Sequence, residues 1–396
     1  MAVSAGLRIL PDGARGRRRA LEHVLLGALP AALTLWVGIS AAAHHSVAED
    51  FSLVYYPAAH LLLVGQSPYG AASAHVTSGS AFVYPALAAV LLAPFALLPM
   101  GLAYHLFVLI CLAMVPGTLW ATGVRDWRVY GAVLLWLPIV VGWQGENISV
   151  PLMYSAALTW RYRESPVVAG LVVAVACSVK PVVWPLGLWL IATRRFAAAF
   201  WSVAWGVVVN LLAWVIVGPR ELVIWLRLAG ADASVLWRGG YGLMAVSHHL
   251  GLGRNAGEGL LLLGTAVLAV ATVWRGLDGH HDREAFGLAV GLVLIASPLV
   301  WIHYFVLLAA ALAVLRPKFD AVWVVPVALW LLPPATQVRS WQVGLAWVVV
   351  TACLWIALRS PERAGWPDGC DAQNQLVARS RSLDPDARAE AAGTEC

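Results

Sequence analysis

Charged side chains are scarce in this chain. They make up 12% of its residues, whereas about a quarter of the residues of an ordinary soluble domain are charged. Hydrophobic residues reach 61%, and apolar runs long enough to cross a bilayer recur from one end of the chain to the other. No soluble protein has an interior that could bury so many apolar helices. The composition therefore excludes a soluble globular protein and predicts an all-α polytopic membrane protein.

Cysteine is also rare, and metal-ligand spacing is missing. Three of the five cysteines lie in apolar runs, where thiols behave as small apolar residues, namely Cys111, Cys177 and Cys353. The His-His pairs of the sequence have no carboxylate at zinc-binding spacing. We therefore expect no metal site.

Glycine-rich loops that cradle phosphate groups are absent, and so is a Rossmann-like pattern. The net charge of +5 comes largely from short arginine clusters between apolar runs. Such clusters are a topology signal and differ from the extended basic patch of a nucleic-acid-binding protein. We expect neither a cofactor nor a nucleic-acid partner.

Thirteen apolar segments are candidates for membrane helices. They lie near residues 21–43, 82–99, 102–123, 129–143, 147–160, 166–179, 181–193, 197–217, 259–275, 285–300, 303–315, 321–335 and 341–358. Cytoplasmic loops are rich in arginine and lysine, and this rule places both chain ends in the cytoplasm. Two ends on one side require an even number of crossings, so we favour about 12 transmembrane helices.

The domain organisation follows from these segments. The first segment is longer than the roughly 7 to 15 apolar residues of a secretory signal, so we expect an uncleaved span. We predict a cytoplasmic N-terminus over residues 1–20 and a transmembrane domain over residues 21–358. Residues 359–396 are polar and predict a disordered cytoplasmic tail.

The charges leave the topology of residues 82–128 open. If residues 44–80 are outside and the turn from Arg125 to Arg128 is inside, an odd number of crossings must separate them. Two apolar segments are available there. Either one of them fails to span the membrane, or the turn lies outside against the rule. Prolines in this region favour a broken or re-entrant segment.

Polar groups collect on the predicted outer side. Three hydrophilic interruptions are expected to face outward, namely residues 44–80, Trp143 to Asn147 and residues 218–258. Lys180 and the stretch from Ser297 to Tyr304 lie at the outward ends of spans. Ionisable groups at membrane depth are costly, and a cluster of them is typical of a functional site.

Glu49 and Asp50 directly follow the first span. The apolar residues after them have helical spacing and predict a half-embedded interfacial helix, with Phe51, Val54, Ala58, Leu61 and Leu62 on its apolar face. An aspartate at this position can cap the helix N-terminus. It can equally be a catalytic carboxylate held at the level of the lipid head groups. The spacing alone does not decide between the two.

The remaining outward groups also have two interpretations each. The polar segment from Trp143 to Asn147 is either a plain hairpin turn or part of a site. Lys180 is either a lysine that extends its ammonium to the interface or a cation that binds a lipid-linked phosphate. His303, which lies among aromatic residues, is either structural or functional.

Several motifs, taken in order, resemble those of glycosyltransferase family eighty-seven. The first is DFSLVYYPAAHLLLVGQSPY from Asp50 to Tyr69, followed by FVYPALAAVLLAPFALLP from Phe82 to Pro99. QGEN ends at Asn147, AGL precedes a Lys-Pro pair, and SPLVWIHY ends the series. Each motif is loose, but their order and spacing are specific.

The resemblance implies a C-type glycosyltransferase-like fold with an amphipathic first outer loop. It implies an inverting transfer of a sugar, expected to be mannose, from a polyprenyl-phosphate donor to an extracytoplasmic glycolipid or lipoglycan. Asp50 takes the position of the general base. Lys180 and His303 are candidates for binding the donor phosphate. The candidates for substrate contacts are Tyr55, Tyr56, Gln144, Asn147, Trp301 and Tyr304.

Two alternatives to mannosyl transfer stay open. An arabinofuranosyl transferase of the same family has a similar sequence pattern. A lipid or sugar transporter belongs to a different class and predicts paired broken helices at the bilayer midplane. The polar residues of this chain are instead predicted to cluster at one face, which favours an enzyme in the plasma membrane whose other partners are membrane lipids.

Overall fold

Helices dominate the part of the chain that the computed structural model describes, which is residues 12–44, 50–70, 81–144, 147–332 and 338–359. No strand occurs within these ranges, so the predicted all-α class is confirmed. All of them lie in one unit of the chain, Met1–Pro361; a second unit, Glu362–Cys396, is outside the described residues. The predicted tail from residue 360 onward is therefore outside them too.

Seventeen α-helices occur within the described ranges. They are α1 (Asp12–His23), α2 (Leu29–His44), α3 (Tyr56–Leu63), α4 (Ala86–Leu92), α5 (Met100–Ala121), α6 (Trp127–Leu134), α7 (Leu137–Gln144), α8 (Ser149–Arg161), α9 (Pro166–Val179), α10 (Pro185–Ala192), α11 (Phe196–Val217), α12 (Glu221–Leu236), α13 (Leu243–His249), α14 (Arg254–Leu277), α15 (Asp282–Ile295), α16 (Leu307–Leu315) and α17 (Ser340–Arg359). The described ranges also contain π-helical segments, Val24–Ala28 and Phe51–Tyr55, and 3₁₀-helical segments, Ala93–Leu97, Pro181–Val183, Ile302–Val306, Ala321–Trp323 and Val325–Leu331.

Five helices in the described ranges are long and apolar enough to cross a membrane. These are Arg19–Ser40, Met100–Ala121, Phe196–Val217, Arg254–Leu277 and Ser340–Arg359. Six further apolar helices are shorter than the roughly 20 residues that a perpendicular span needs. The fold thus contains membrane-spanning candidates along its whole length, while the number of about 12 crossings stays a prediction.

Prolines break the second apolar region, as the sequence predicts. Its helix α4 has 7 residues and passes into the 3₁₀ turn Ala93–Leu97, which has Pro94 in its first turn. Pro99 then starts α5 from an extended backbone. Proline lacks the N–H that would continue an α-helix, so residues 86–97 form a bent element shorter than α5.

Close helix packing depends on glycine at two positions. A Cβ on Gly170 of α9 would overlap Trp201 of α11, and a Cβ on Gly131 of α6 would overlap the carbonyl of Leu26. Because glycine has no side chain, the two backbones can approach closely at these positions. Close approach at small residues is a common way for membrane helices to associate. The helix α16 lies at the centre, with all its residues buried.

Ion pairs gather at the end of α9 where this helix begins. Arg195 donates two hydrogen bonds of 3.0 and 2.9 Å to Asp282 and one of 2.7 Å to Glu164. The Arg163 Nε lies 3.5 Å from the same Asp282 carboxylate. Lys180 follows the other end of α9, whose 14 residues span about 21 Å. The arginine cluster and Lys180 therefore lie at opposite ends of this helix.

The turn from Arg125 to Arg128 lies at the arginine end. The guanidinium of Arg161 is 4.5 Å from the ring centroid of Trp120 in the last turn of α5. The backbone N–H of Phe319 donates a 3.0 Å hydrogen bond to Asp126. These contacts join segments that the sequence predicts on the cytoplasmic side. They favour the interpretation in which one of the two apolar segments before this turn fails to span.

Candidate active site

Asp50 precedes the π-helical turn Phe51–Tyr55 and has helical backbone angles. Its side chain makes no hydrogen bond to the N–H groups of this turn, so the capping interpretation is wrong. Phe51 and Val54 are buried and anchor the turn in the protein, whereas Asp50 itself is half-buried. The carboxylate is thus held in place by its apolar neighbours and is directed elsewhere.

Asn147 donates a hydrogen bond from its side-chain amide to the Asp50 carboxylate. The amide oxygen of Asn147 accepts from the backbone N–H of Ser149 at 2.9 Å and from its hydroxyl at 2.7 Å. Because that oxygen is occupied, the amide nitrogen must be the group that faces Asp50. Asn147 is buried, so this contact orients the carboxylate in a partly desolvated place.

Two tyrosines continue the network from Asn147. The hydroxyl of Tyr55 accepts a 3.3 Å hydrogen bond from the N–H of Ile148 and donates a 2.9 Å hydrogen bond to the hydroxyl of Tyr84. Tyr55 is completely buried. A buried phenol is stable when its O–H has a partner. The chain of contacts therefore fixes both rings beside Asp50.

Lys180 lies between the rings of Tyr84 and Tyr304. Its ammonium nitrogen is 5.3 Å from the first ring centroid and 4.1 Å from the second, within range of cation–π attraction. Lys180 is outside both adjoining helices, and its burial lowers its pKa to about 8, against the carboxylates of Asp50 and Asp232, which raise it. The ammonium therefore shares a site with two carboxylates.

His303 completes the group on the side of Tyr304. Their ring centroids are 5.2 Å apart. The Nε2 atom of His303 is buried and has no hydrogen-bond partner among the described residues. A buried polar atom without a partner is costly unless a ligand or water satisfies it, so this atom is available to a substrate.

The arrangement brings a carboxylate, a cation and an imidazole together. Asp50, oriented by Asn147, can accept a proton from a hydroxyl group. Lys180 can stabilise an anion in a place where burial strengthens electrostatic interactions. Within the described residues, no group of three or more His, Cys, Asp and Glu side chains could hold a metal ion. The geometry thus suits transfer to a hydroxyl with an anionic leaving group.

Comparison with known proteins identifies the family of this chain. The sequence profile of glycosyltransferase family 87 matches residues 82–298, which is more than half of the chain. The chain belongs to glycosyltransferase family 87. The resemblance found in the motifs is therefore confirmed.

Two curated relatives carry the same name, polyprenol-phosphate-mannose-dependent alpha-(1-2)-phosphatidylinositol pentamannoside mannosyltransferase. The relative from Mycolicibacterium smegmatis is 27% identical over 298 residues, which are 68% of this chain and 66% of the relative. The relative from Mycobacterium tuberculosis is 30% identical over 297 residues, 68% of this chain and 63% of the relative. The chain thus aligns with somewhat less than two thirds of each relative. No solved structure matches it.

The motifs on which the sequence analysis based the resemblance contain most of the residues that the structure gathers. Asp50, Asn147, Lys180 and His303 come from four separate motifs and meet at one site, together with three tyrosines. The family profile covers residues 82–298, so Asp50 precedes the matched range and His303 follows it. The roles predicted for these residues are therefore taken up as proposals below.

The side chains of three predicted substrate residues of this family 87 chain make no described contact with Lys180 or His303. Tyr56 donates a 2.9 Å hydrogen bond to the carbonyl of Leu98. Trp301 approaches Gly239, where a Cβ would lie 3.6 Å from its ring. Gln144 ends α7 and is half-buried, next to residues 145 and 146, which lie outside the described ranges.

Sequence reasoning missed two residues of the site. Tyr84 lies in the second motif of the sequence analysis, Phe82 to Pro99, and its presence there could have indicated a role in the site. Asp232 belongs to α12 and lies on the face that carries the half-buried Trp225 and buried Leu228. Burial raises the pKa of Asp232 to about 6, while the charge on Lys180 lowers it. The only sequence signal for Asp232 was that it is an acidic residue among apolar and small residues in a predicted outer segment.

Proposed function

We propose that this protein is an integral-membrane mannosyltransferase. It takes mannose from a polyprenyl-phosphate-mannose donor and transfers it to a glycolipid or lipoglycan outside the plasma membrane. The names of both relatives support the donor and the sugar. The observation that carries the proposal is the Asp50 carboxylate, oriented by Asn147 and within electrostatic reach of Lys180.

Asp50 is the general base of the proposed reaction. The acceptor hydroxyl attacks the anomeric carbon of mannose, and Asp50 accepts the hydroxyl proton as the new C–O bond forms. The bond between the anomeric carbon and the phosphate oxygen breaks on the opposite side. One displacement of this kind inverts the anomeric configuration. Asn147 positions Asp50 by its hydrogen bond.

Lys180 stabilises the leaving group of the proposed reaction. The polyprenyl phosphate leaves as a phosphate monoester and gains negative charge as the bond breaks. An ammonium group held by two aromatic rings meets this charge without rearrangement. His303 is the second group that we propose for this phosphate, because its Nε2 has no partner among the described residues and its ring lies beside Tyr304, which Lys180 also contacts. No nucleotide takes part, because the donor is already activated.

The proposed site faces the extracytoplasmic side. The arginines near Arg195 and Asp126 are gathered at the beginning of α9, and arginine-rich ends favour the cytoplasm. Lys180 lies at the other end of α9. This arrangement supports an outward-facing site in a multi-pass protein. The proposal also includes the plasma membrane as its location, a transmembrane domain over residues 21–358 and a cytoplasmic tail over residues 359–396.

Mannose is favoured over arabinofuranose because both relatives are named for mannose. Enzymatic transfer is favoured over transport because the polar groups converge on one carboxylate and one cation at the end of α9. A phosphatidylinositol mannoside is the acceptor to test first, since this is the lipid in the relatives' name.

A donor screen on the purified full chain tests the proposal. The protein in lipid nanodiscs would be given a phosphatidylinositol mannoside acceptor and one labelled donor at a time: polyprenyl-phosphate mannose, polyprenyl-phosphate arabinofuranose or a nucleotide-activated mannose. We expect labelled product only with the first. Transfer from the nucleotide sugar, or no transfer from any polyprenyl-phosphate sugar to any acceptor lipid, would overturn the proposal.

A further inference from the structure

The indole N–H of Trp143 is a buried hydrogen-bond donor without a partner. Trp143 is 2% exposed, and its Nε1 makes no hydrogen bond among the described residues. Other indole N–H groups of this fold donate to protein oxygen atoms, namely those of Trp136, Trp189, Trp225, Trp323, Trp330 and Trp347. A buried donor that is left unpaired is costly. A ligand that accepts from Trp143 would remove this cost.

Trp143 lies where two parts of the proposed site meet. It belongs to the last turn of α7 and follows Gly142. The carbonyl of Gly142 accepts a 3.0 Å hydrogen bond from the backbone N–H of Asn147, the residue that orients the proposed base. A Cβ on Gly142 would lie 3.1 Å from a methyl carbon of Val306. The end of α7 is therefore fixed to Asn147 and to the segment that carries His303.

His303 lies on the face of its 3₁₀ turn, Ile302–Val306, that packs against α7. Residues three apart eclipse each other in a 3₁₀ turn, so His303 shares a face with Val306, and Val306 packs against Gly142. The Nε2 of His303 is buried and unpaired among the described residues, like the Nε1 of Trp143. Two unsatisfied polar nitrogens thus belong to two elements that pack together at the site.

A phosphate group matches the indole N–H better than a sugar hydroxyl does. An indole N–H can only donate, and the oxygens of an ionised phosphate can only accept. A hydroxyl group would need an acceptor for its own proton as well. A hydrogen bond to an ionised acceptor is also about twice as strong as one between neutral groups. An anionic phosphate is therefore the ligand that best satisfies Trp143.

We propose that Trp143 donates its indole N–H to a phosphate oxygen of the polyprenyl-phosphate donor. The inference rests on the proposed function for the identity of the lipid, and on the unpaired N–H for the residue. As the bond to the anomeric carbon breaks, the phosphate changes from a diester to a monoester and gains negative charge. The hydrogen bond strengthens with this charge, so Trp143 stabilises the same leaving group as Lys180. The indole keeps its proton throughout.

An isosteric replacement of Trp143 tests the N–H alone. Benzothienylalanine has the shape of tryptophan but has sulfur in place of the N–H, and it would replace Trp143 in the full chain in lipid nanodiscs. The same replacement of Trp136 is the matched control. Trp136 is completely buried, and its N–H donates a 2.9 Å hydrogen bond to the carbonyl of Trp323. Trp143→Phe is a second variant, made of natural residues only.

Affinity would be measured for four lipids: a long-chain polyprenyl phosphate, its mannosyl diester, the free polyprenol and a phosphatidylinositol mannoside. For both Trp143 variants we expect Kd for the polyprenyl phosphate to rise about 10- to 100-fold, the loss typical of a hydrogen bond to a charged group. The rise for the diester should be smaller, because its phosphate carries less charge. Kd for the other two lipids should stay within about twofold of the unsubstituted protein.

Thermal unfolding without ligand gives a second readout that a structural role would move. The isostere at Trp143 removes no hydrogen bond from the unliganded protein, so its unfolding midpoint should not fall. The isostere at Trp136 removes the hydrogen bond to Trp323, so its midpoint should fall by a few degrees while all four Kd values stay unchanged. A lower midpoint at Trp143 with unchanged Kd values would show a structural role and overturn the inference.

The binding results separate this inference from the proposed function. Equal affinity of the Trp143 isostere and the unsubstituted protein for polyprenyl phosphate would overturn the assignment of Trp143. Equal losses for the phosphate and the free polyprenol, or a loss confined to the phosphatidylinositol mannoside, would overturn it as well, since neither follows from a contact with the donor phosphate. If the unsubstituted protein binds polyprenyl phosphate but transfers no mannose, the proposed function alone is overturned.

Discussion

Asn147 donates its side-chain amide to the carboxylate of Asp50 across 97 positions of the sequence. The amide cannot turn around, because Ser149 occupies its oxygen. The carboxylate of Asp50, in the first predicted outer segment, is thereby held near Lys180, which follows α9. In the proposed reaction this contact holds the base in position to accept the proton of the acceptor hydroxyl.

Replacing Asn147 by alanine is predicted to lower kcat more than it changes KM. The variant loses a hydrogen bond to a charged group, which contributes about 1.5–3 kcal/mol, so kcat is expected to fall about 10- to 100-fold. Initial rates with polyprenyl-phosphate mannose measure this. The exposed Asn255 of α14 is the matched control, and Asn255→Ala should retain full activity. Equal rates for both variants would remove Asn147 from the mechanism.

Replacing Lys180 by methionine is predicted to reduce kcat/KM about 100- to 1,000-fold, the range seen when one group that stabilises a developing anion is lost. Methionine is an unbranched side chain of nearly the same length but has no charge. The chain has one other lysine, Lys318, which is exposed, and Lys318→Met is the control. A small loss, within fivefold of the control, would contradict the role proposed for Lys180.

Asp232 gives a prediction that links stability to pH. Its pKa is raised to about 6 by burial, so the folded protein binds this proton more tightly than the unfolded chain does. Stability from this group is then present at low pH and is lost as pH rises through about 6. At pH 7, Asp232→Asn should unfold a few degrees higher than the unsubstituted protein.

The same variant is predicted to be less active. The ionised carboxylate of Asp232 lowers the stability of the folded protein at neutral pH, and it lies near Lys180. A buried carboxylate with a raised pKa beside a charged partner is typical of a functional site. We expect kcat/KM of the unsubstituted protein to fall as pH decreases below about 6 and expect Asp232→Asn to lose this acidic limb. A variant that is more stable and fully active at every pH would show that Asp232 has no functional role.

The packing of the first helix against α6 can be tested at Gly131. A Cβ there would overlap the carbonyl of Leu26, and overpacking of this kind costs about 1–3 kcal/mol. Gly131→Ala should therefore lower the midpoint of thermal unfolding by several degrees in detergent. Gly38→Ala in α2 is the control, since its Cβ would meet no atom within 4 Å. An unchanged midpoint for Gly131→Ala would mean that this helix does not pack there.

Much of the fold was readable from the apolar segments, because bilayer-length runs can form little other than helices. The site was harder to predict. The motifs identified Asp50 and Lys180 as candidates, but only tertiary packing shows that they share a site. Tyr55 and Tyr56 illustrate the limit: neighbours on a helix point about 100° apart, so one reaches the site and the other reaches Leu98. Asp232 was missed because it belongs to none of the motifs, and only the packing of α12 brings it near Lys180.

Turnover by Asp50→Asn tests the central claim most directly. The substitution keeps the shape of the side chain and removes its ability to accept a proton from the acceptor. With labelled polyprenyl-phosphate mannose, kcat should fall at least about 100-fold, while donor binding and the unfolding midpoint stay near those of Asp278→Asn, an exposed control on the loop before α15. Undiminished turnover by a folded Asp50→Asn protein would contradict the role of this carboxylate as the base.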